Sequence, residues 1–124
     1  MKRLFSAPTV INLEITEICN VKCRHCYNFW RDDSIGQNSL DVEKFDKIID
    51  RIIEAEVFHV VLTGGEPMAK FPILEHGFAQ LKEANISFSC NSNLMLCTDE
   101  RAKKLANLGL DHILTSLPSR DPVT

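Results

Sequence analysis

The sequence predicts an α/β fold built around a parallel sheet of about four strands. Two observations carry this. Short alternating or β-branched segments take turns with longer stretches of helical periodicity, in the order β-α-β-α-β-α-β. Strands separated by helices of this length are joined by right-handed crossovers, which makes neighbouring strands parallel.

Thr9 to Thr16 opens the series, with Ile11, Leu13 and Ile15 on one face and Asn12, Glu14 and Thr16 on the other. From Glu17 to Asn38 the periodicity breaks into a long polar loop holding Cys19, Cys23 and Cys26 and the aromatics Tyr27, Phe29 and Trp30. Loops of this length inside a small domain are usually functional. Leu40 to Ala55 then places Phe45, Ile48, Ile49, Ile52 and Ile53 at helical spacing, with Asn38 or Ser39 available as the N-cap and Asp41 in the first turn.

Val57 to Thr63 is nearly apolar throughout, as a strand covered on both faces should be, and it ends at Gly64 and Gly65. Pro72 suits the first turn of a second helix, whose side is marked by Leu74, Phe78 and Leu81 and which reaches about Ala84; Gly77 weakens it. Ile86 to Asn91 forms the third strand. Thr98 caps a third helix carrying Leu105 and Leu108 and ended by Gly109, and His112 to Leu117 forms the fourth strand.

With 124 residues, 44% of them hydrophobic and 25% charged, the chain fits one small globular domain and is unlike a disordered protein. A net charge of −3 without a run of Lys or Arg gives no footprint for a phosphate backbone, so no nucleic-acid partner is expected. No apolar run is long enough for a signal peptide or a membrane span, which points to a cytoplasmic protein with no membrane partner.

Five cysteines, three of them within eight residues, read as metal ligation in a reducing compartment and not as a disulfide framework. Cys19, Cys23 and Cys26 have the spacing C-x3-C-x2-C directly after the first strand, so three thiolates can converge on one inorganic centre. A four-iron four-sulfur cluster held by three thiolates keeps one iron open to a substrate or cofactor. The alternative is structural zinc, with His25 or a distant Cys90 or Cys97 as fourth ligand. The cluster is favoured, because His25 lies between two of the cysteines, where a short loop struggles to aim four side chains at one tetrahedral centre.

Cys19-Asn20-Val21-Lys22-Cys23-Arg24-His25-Cys26-Tyr27, followed by Thr63-Gly64-Gly65-Glu66-Pro67 after the second strand, resembles the radical S-adenosylmethionine (SAM) superfamily. The resemblance spans essentially the whole chain. It implies a partial (β/α) barrel, with the three cysteines on three irons of a [4Fe-4S] cluster and the amino and carboxylate groups of SAM on the fourth. Tyr27 would lie beside the adenine, and Gly64, Gly65, Glu66 and Pro67 would receive the methionyl ammonium. Cys90-Asn91-Ser92 stands where the family often has threonine-asparagine-glycine. Asn91 keeps the hydrogen-bonding role near the ribose and carboxylate, while Cys90 reads as a small buried residue.

Ser116 resembles the family serine that hydrogen-bonds the cofactor, although Leu117-Pro118-Ser119 replaces the usual leucine-aspartate-glycine. Asn12, Glu14 and Thr16 are expected either to wall a polar cavity or to form a solvated strand face. His59 and His112 are expected to be structural, and Phe29 and Trp30 to cover the cluster loop or pack in the core.

The implied activity is reductive cleavage of SAM to a 5'-deoxyadenosyl radical that abstracts hydrogen from a substrate, with an external electron donor of flavodoxin or ferredoxin type. The motifs look most like those of enzymes that modify peptides or mature other proteins. The family barrel commonly has six β/α units, against four strands and three helices here, so residues 1–124 are expected to be a truncated or split core domain. The contrasting expectation is a catalytically silent iron-sulfur or zinc-binding module.

Overall fold

The computed structural model describes residues 7–24, 26, 38–110 and 112–115, and among them four strands and three α-helices alternate as expected. The first strand, β1 (Val10–Thr16), leads through the cysteine loop to helix α1 (Val42–Glu54). Strand β2 (His59–Gly64), a 3-10 helix at Pro67–Lys70, helix α2 (Phe71–Glu83), strand β3 (Ser87–Asn91), helix α3 (Asp99–Asn107) and strand β4 (Ile113–Leu114) follow.

The sheet order is β1-β2-β3-β4 and every pairing is parallel, with Leu13 opposite Leu62, Leu62 opposite Cys90 and Cys90 opposite Ile113. Chain order and spatial order therefore coincide, as in a barrel that is wound one strand at a time. All four carboxyl ends point the same way, and the segments that leave β1, β2 and β3 share one rim.

Helix α1 forms because its apolar residues recur on one stripe. Phe45, Ile49 and Ile52 are buried while Glu43, Lys44, Lys47 and Asp50 stay in water. Its N-cap is Asp41, whose Oδ1 accepts from Lys44 N at 2.8 Å; this corrects the assignment of the cap to Asn38 or Ser39 and of Asp41 to the first turn. Asn38 and Ser39 are occupied elsewhere. Asn38 O accepts from Glu17 N at 2.8 Å, and Ser39 Oγ is 2.6 Å from Thr16 Oγ1, so both residues close the mouth of the cysteine loop.

The core lies between the helices and one face of the sheet, where Ile15, Val60, Leu62, Phe88 and Cys90 meet Phe45, Ile49, Leu74, Phe78 and Leu81. Gly77, expected to be a weak point of α2, has a packing reason. A β-carbon there would come within 2.5 Å of Phe45 Cζ and 3.0 Å of Leu62 Cδ1. Its bare backbone lets α2 settle against α1 and the sheet.

Strand alternation places Asn12 and Glu14 on the opposite face, both exposed, together with His59 and Ser89. Both ring nitrogens of His59 are engaged, Nδ1 with Ser87 Oγ at 2.8 Å and Nε2 with Ser89 Oγ at 2.9 Å, and its ring stacks on His112 with centroids 5.9 Å apart. These contacts fit the structural role expected of both histidines. Thr16 is buried at the end of β1 and serves the loop closure, so it is not part of an open polar wall.

Candidate functional site

Three segments far apart in sequence meet at the carboxyl rim of the sheet: the exit of β1, the turn after β2 and the loop after β3. Gly64 is what allows the first two to touch. A β-carbon on it would fall 2.4 Å from Thr16 O, so only glycine fits. Gly65 N then donates to Thr16 O at 2.8 Å and Glu66 N to Ile18 O at 2.8 Å, extending the β1–β2 pairing beyond the strands up to the residue before Cys19.

Glu66 is 1% exposed. Its Oε1 accepts from Met68 N at 3.0 Å and from Ser92 Oγ at 2.7 Å, and its Oε2 accepts from Asn93 N at 2.8 Å. The first of these makes Glu66 the N-cap of the 3-10 helix, with Pro67 in the opening position, where its missing N–H costs nothing. The other two tie the turn to the loop after β3. Each carboxylate oxygen can take about two hydrogen bonds. Oε1 is therefore filled, and Oε2 keeps capacity for one more donor.

The loop after β3 is shaped by its own side chains. Ser92 Oγ accepts from Leu94 N at 3.0 Å and Asn93 Oδ1 accepts from Met95 N at 3.0 Å, two side-chain turns in succession. Arg101 closes the far side, donating to Met68 O at 3.1 Å and Leu96 O at 3.0 Å while its guanidinium lies 4.8 Å from the Phe71 ring centroid. The glycine turn, the 3-10 helix and this loop are thus one hydrogen-bonded unit.

Cys19 and Cys26 are half-buried, Cys23 is exposed, and all three are free thiols. Cys26 N donates to Cys23 O at 3.2 Å, a turn that brings the second and third cysteines together. Among the described residues no three His, Cys, Asp or Glu side chains gather around the position of a single ion. A four-iron cube takes its thiolates at separate corners, so three free thiols on one anchored loop fit it by type and number.

Cys90 does not complete the set. It is fully buried in the core, where burial first, then the Glu66 carboxylate and Cys97, push its thiol up to about 12. That is a packing residue, as the sequence suggested. Asn91 is half-buried at the carboxyl end of β3, opposite Leu114, on the same rim as the glycine turn. Tyr27, Ser116, His25, Phe29 and Trp30 lie outside the described residues.

Sequence reasoning missed Ser92, Asn93, Asn20 and Arg101. The run of Asn91, Ser92 and Asn93 after a strand signals side-chain turns, but its tie to Glu66 depends on β2 lying beside β3. A model of the family described as "Radical SAM superfamily" matches residues 13–123. The chain belongs to the radical SAM superfamily. Members of the superfamily use a [4Fe-4S] cluster and SAM, and the four-stranded parallel sheet with its helices is part of the superfamily's barrel.

Among curated relatives, the chain is 30% identical over 113 residues to the "Probable GTP 3',8-cyclase" of Methanococcus maripaludis, covering 90% of this chain and 37% of that protein. It is 30% identical over 112 residues to the PqqA peptide cyclase of Bradyrhizobium diazoefficiens, covering 90% of this chain and 29% of that protein. The radical SAM chain described here thus spans about a third of these relatives' length. Among solved structures, Streptococcus suis SuiB bound to S-adenosylmethionine superposes with a TM-score of 0.70 at 22% identity, over 87% of this chain and 24% of SuiB. No helix among the described residues is long and apolar enough to cross a membrane.

Proposed function

We propose that this chain is the cluster- and SAM-binding core of a cytoplasmic radical SAM enzyme acting on a peptide or protein. Cys19, Cys23 and Cys26 hold the [4Fe-4S] cluster through three of its irons. Gly64, Gly65, Glu66 and Pro67 receive the methionyl end of SAM, with the second oxygen of Glu66 available to an ammonium. Asn91 hydrogen-bonds the cofactor from the end of β3, and Tyr27 and Ser116 take the adenine and cofactor contacts that their motif positions imply. When bound, the cluster and SAM supply reductive cleavage to a 5'-deoxyadenosyl radical that takes hydrogen from a substrate.

The protein's own part is placement. The observation that carries the reading is the double hydrogen bond of Gly65 N to Thr16 O and Glu66 N to Ile18 O, which docks the glycine turn against the entrance to the cysteine loop. Two motifs separated by some forty residues of sequence are thereby held side by side, as a cofactor bridging cluster and turn requires. The peptide or protein substrate is supported by the PqqA peptide cyclase relative, and the proposed electron source is an external donor of flavodoxin or ferredoxin type.

Anaerobic reconstitution followed by EPR tests this directly. The expected outcome is a reduced-cluster signal that changes when SAM is added, with 5'-deoxyadenosine and methionine formed under reducing conditions. One tightly held zinc per chain, with no iron or sulfide after oxygen-free preparation, sinks the reading.

A further inference from the structure

Asn93 stands outside every motif, yet its backbone N–H, side-chain oxygen and side-chain NH2 are each committed in a different direction. Its backbone N–H donates to Glu66 Oε2 at 2.8 Å. Its side-chain Oδ1 accepts from Met95 N at 3.0 Å, and that bond fixes which way the amide faces. The NH2 end is left to point away from the turn, where it donates to Asn20 Oδ1 at 2.9 Å, across 73 residues of sequence. Asn20 directly follows Cys19, whose Sγ is 4.0 Å from the same Oδ1.

The surroundings hold this residue firmly. Ser92 Oγ is bonded to both Glu66 Oε1 and Leu94 N, and Leu94 has a φ of 62°. A leucine in left-handed backbone persists only where neighbouring structure over-determines it, and such residues cluster at functional sites. A simple connection between β3 and α3 needs neither the strained residue nor the tie to the cysteine loop.

We propose that Asn93 is a positioning residue that couples the glycine-glutamate turn to the Cys19 end of the cysteine loop, so that the first cluster ligand and the SAM-binding turn keep a fixed separation. The proposal rests on the cluster and SAM reading above. The alternative is that Asn93 merely builds its turn. Asn93→Ser separates the two, because the serine hydroxyl still accepts from Met95 N but is too short and lacks the amide donor for Asn20.

Two measurements test it. In the metal-free protein, hydrogen exchange of the peptide spanning residues 16–23 accelerates about three- to tenfold in Asn93→Ser and in Asn20→Ala, one hydrogen bond's worth, and the double variant is no faster than either single. In the reconstituted enzyme, the SAM concentration that half-changes the EPR signal rises by a similar factor in each single variant. It rises no further in the double. Unchanged exchange, additive effects, or unaltered SAM affinity with an intact cluster overturns the proposal. A parent protein without any SAM-dependent signal removes the proposed function instead, and the exchange comparison then decides the coupling alone.

Discussion

The Ser92 hydroxyl donates a 2.7 Å hydrogen bond to Glu66 Oε1, and both residues are almost completely shielded from solvent. A buried carboxylate that gathers three donors from two loops holds those loops together whether or not a ligand is present. Removing Ser92's hydroxyl still leaves Met68 N on the same oxygen, so Ser92→Ala should destabilise the protein by about 1.5–2 kcal/mol. Glu66→Ala orphans all three donors and should cost about 3–5 kcal/mol, with Glu66→Gln between them. Urea unfolding of the three variants reads the order, and equal losses would refute it.

Gly77→Ala sets two effects against each other. Alanine is the better helix former by about 1 kcal/mol. The new methyl would lie 2.5 Å from Phe45 Cζ, so overpacking of about 1–3 kcal/mol should win and the variant should be less stable. Adding Phe45→Leu should recover part of the loss. Stabilisation by the single change would show that the contact relaxes freely.

Gly64→Ala meets main chain, which cannot swing aside. Its β-carbon would fall 2.4 Å from Thr16 O, so the glycine turn must move off β1 at a cost of about 3 kcal/mol or more. Iron content after reconstitution and SAM binding should both fall, whereas Gly77→Ala should affect stability alone.

Cys90 and the loop cysteines should part company in the same assay. Alanine at Cys19, Cys23 or Cys26 should abolish the visible iron-sulfur absorbance. Cys90→Ala should keep full iron loading and cost only about 1 kcal/mol of stability, because that thiol is enclosed in the core and raised to about 12. Loss of iron from Cys90→Ala would reinstate it as a ligand.

Asp41 contributes a pH-dependent cap. Its carboxyl is held below the ordinary value of 3.8, chiefly by the hydrogen bond from Lys44 N; desolvation opposes this, and the Lys44 and Lys47 charges assist. A folded-state value below the unfolded one gives stability that is complete above the unfolded value and lost as pH falls through the folded one. Asp41→Asn keeps a good cap without this titration, so its unfolding midpoint should fall less than the parent's between pH 5 and pH 2.

Periodicity made the sheet legible, since Ile11, Leu13 and Ile15 or Phe45, Ile49 and Ile52 declare their faces without help from the rest of the chain. Cysteine spacing and the glycine pair pointed to the candidate site. What could not be read depended on neighbours across the sheet. Asn38 and Ser39 look like caps but are engaged by Glu17 and Thr16; Gly77 looks like a flaw until Phe45 is set beside it. Glu66 announced a charge, yet its bonds to Ser92 and Asn93 exist only because β2 and β3 are adjacent. The 3-10 helix was equally hidden, being too short for any period to reveal.

Glu17 and Asn38 exchange two hydrogen bonds, at 2.8 and 3.2 Å, where the cysteine loop leaves and rejoins the fold. Entrance and exit share one doorway, so a change in the length of the loop between them need not pull on the sheet. Doubling such an insertion adds only about 0.6 kcal/mol of closure entropy. The far part of that segment can therefore lengthen or shorten like the slack in a tethered rope while the scaffold behind it stays the same.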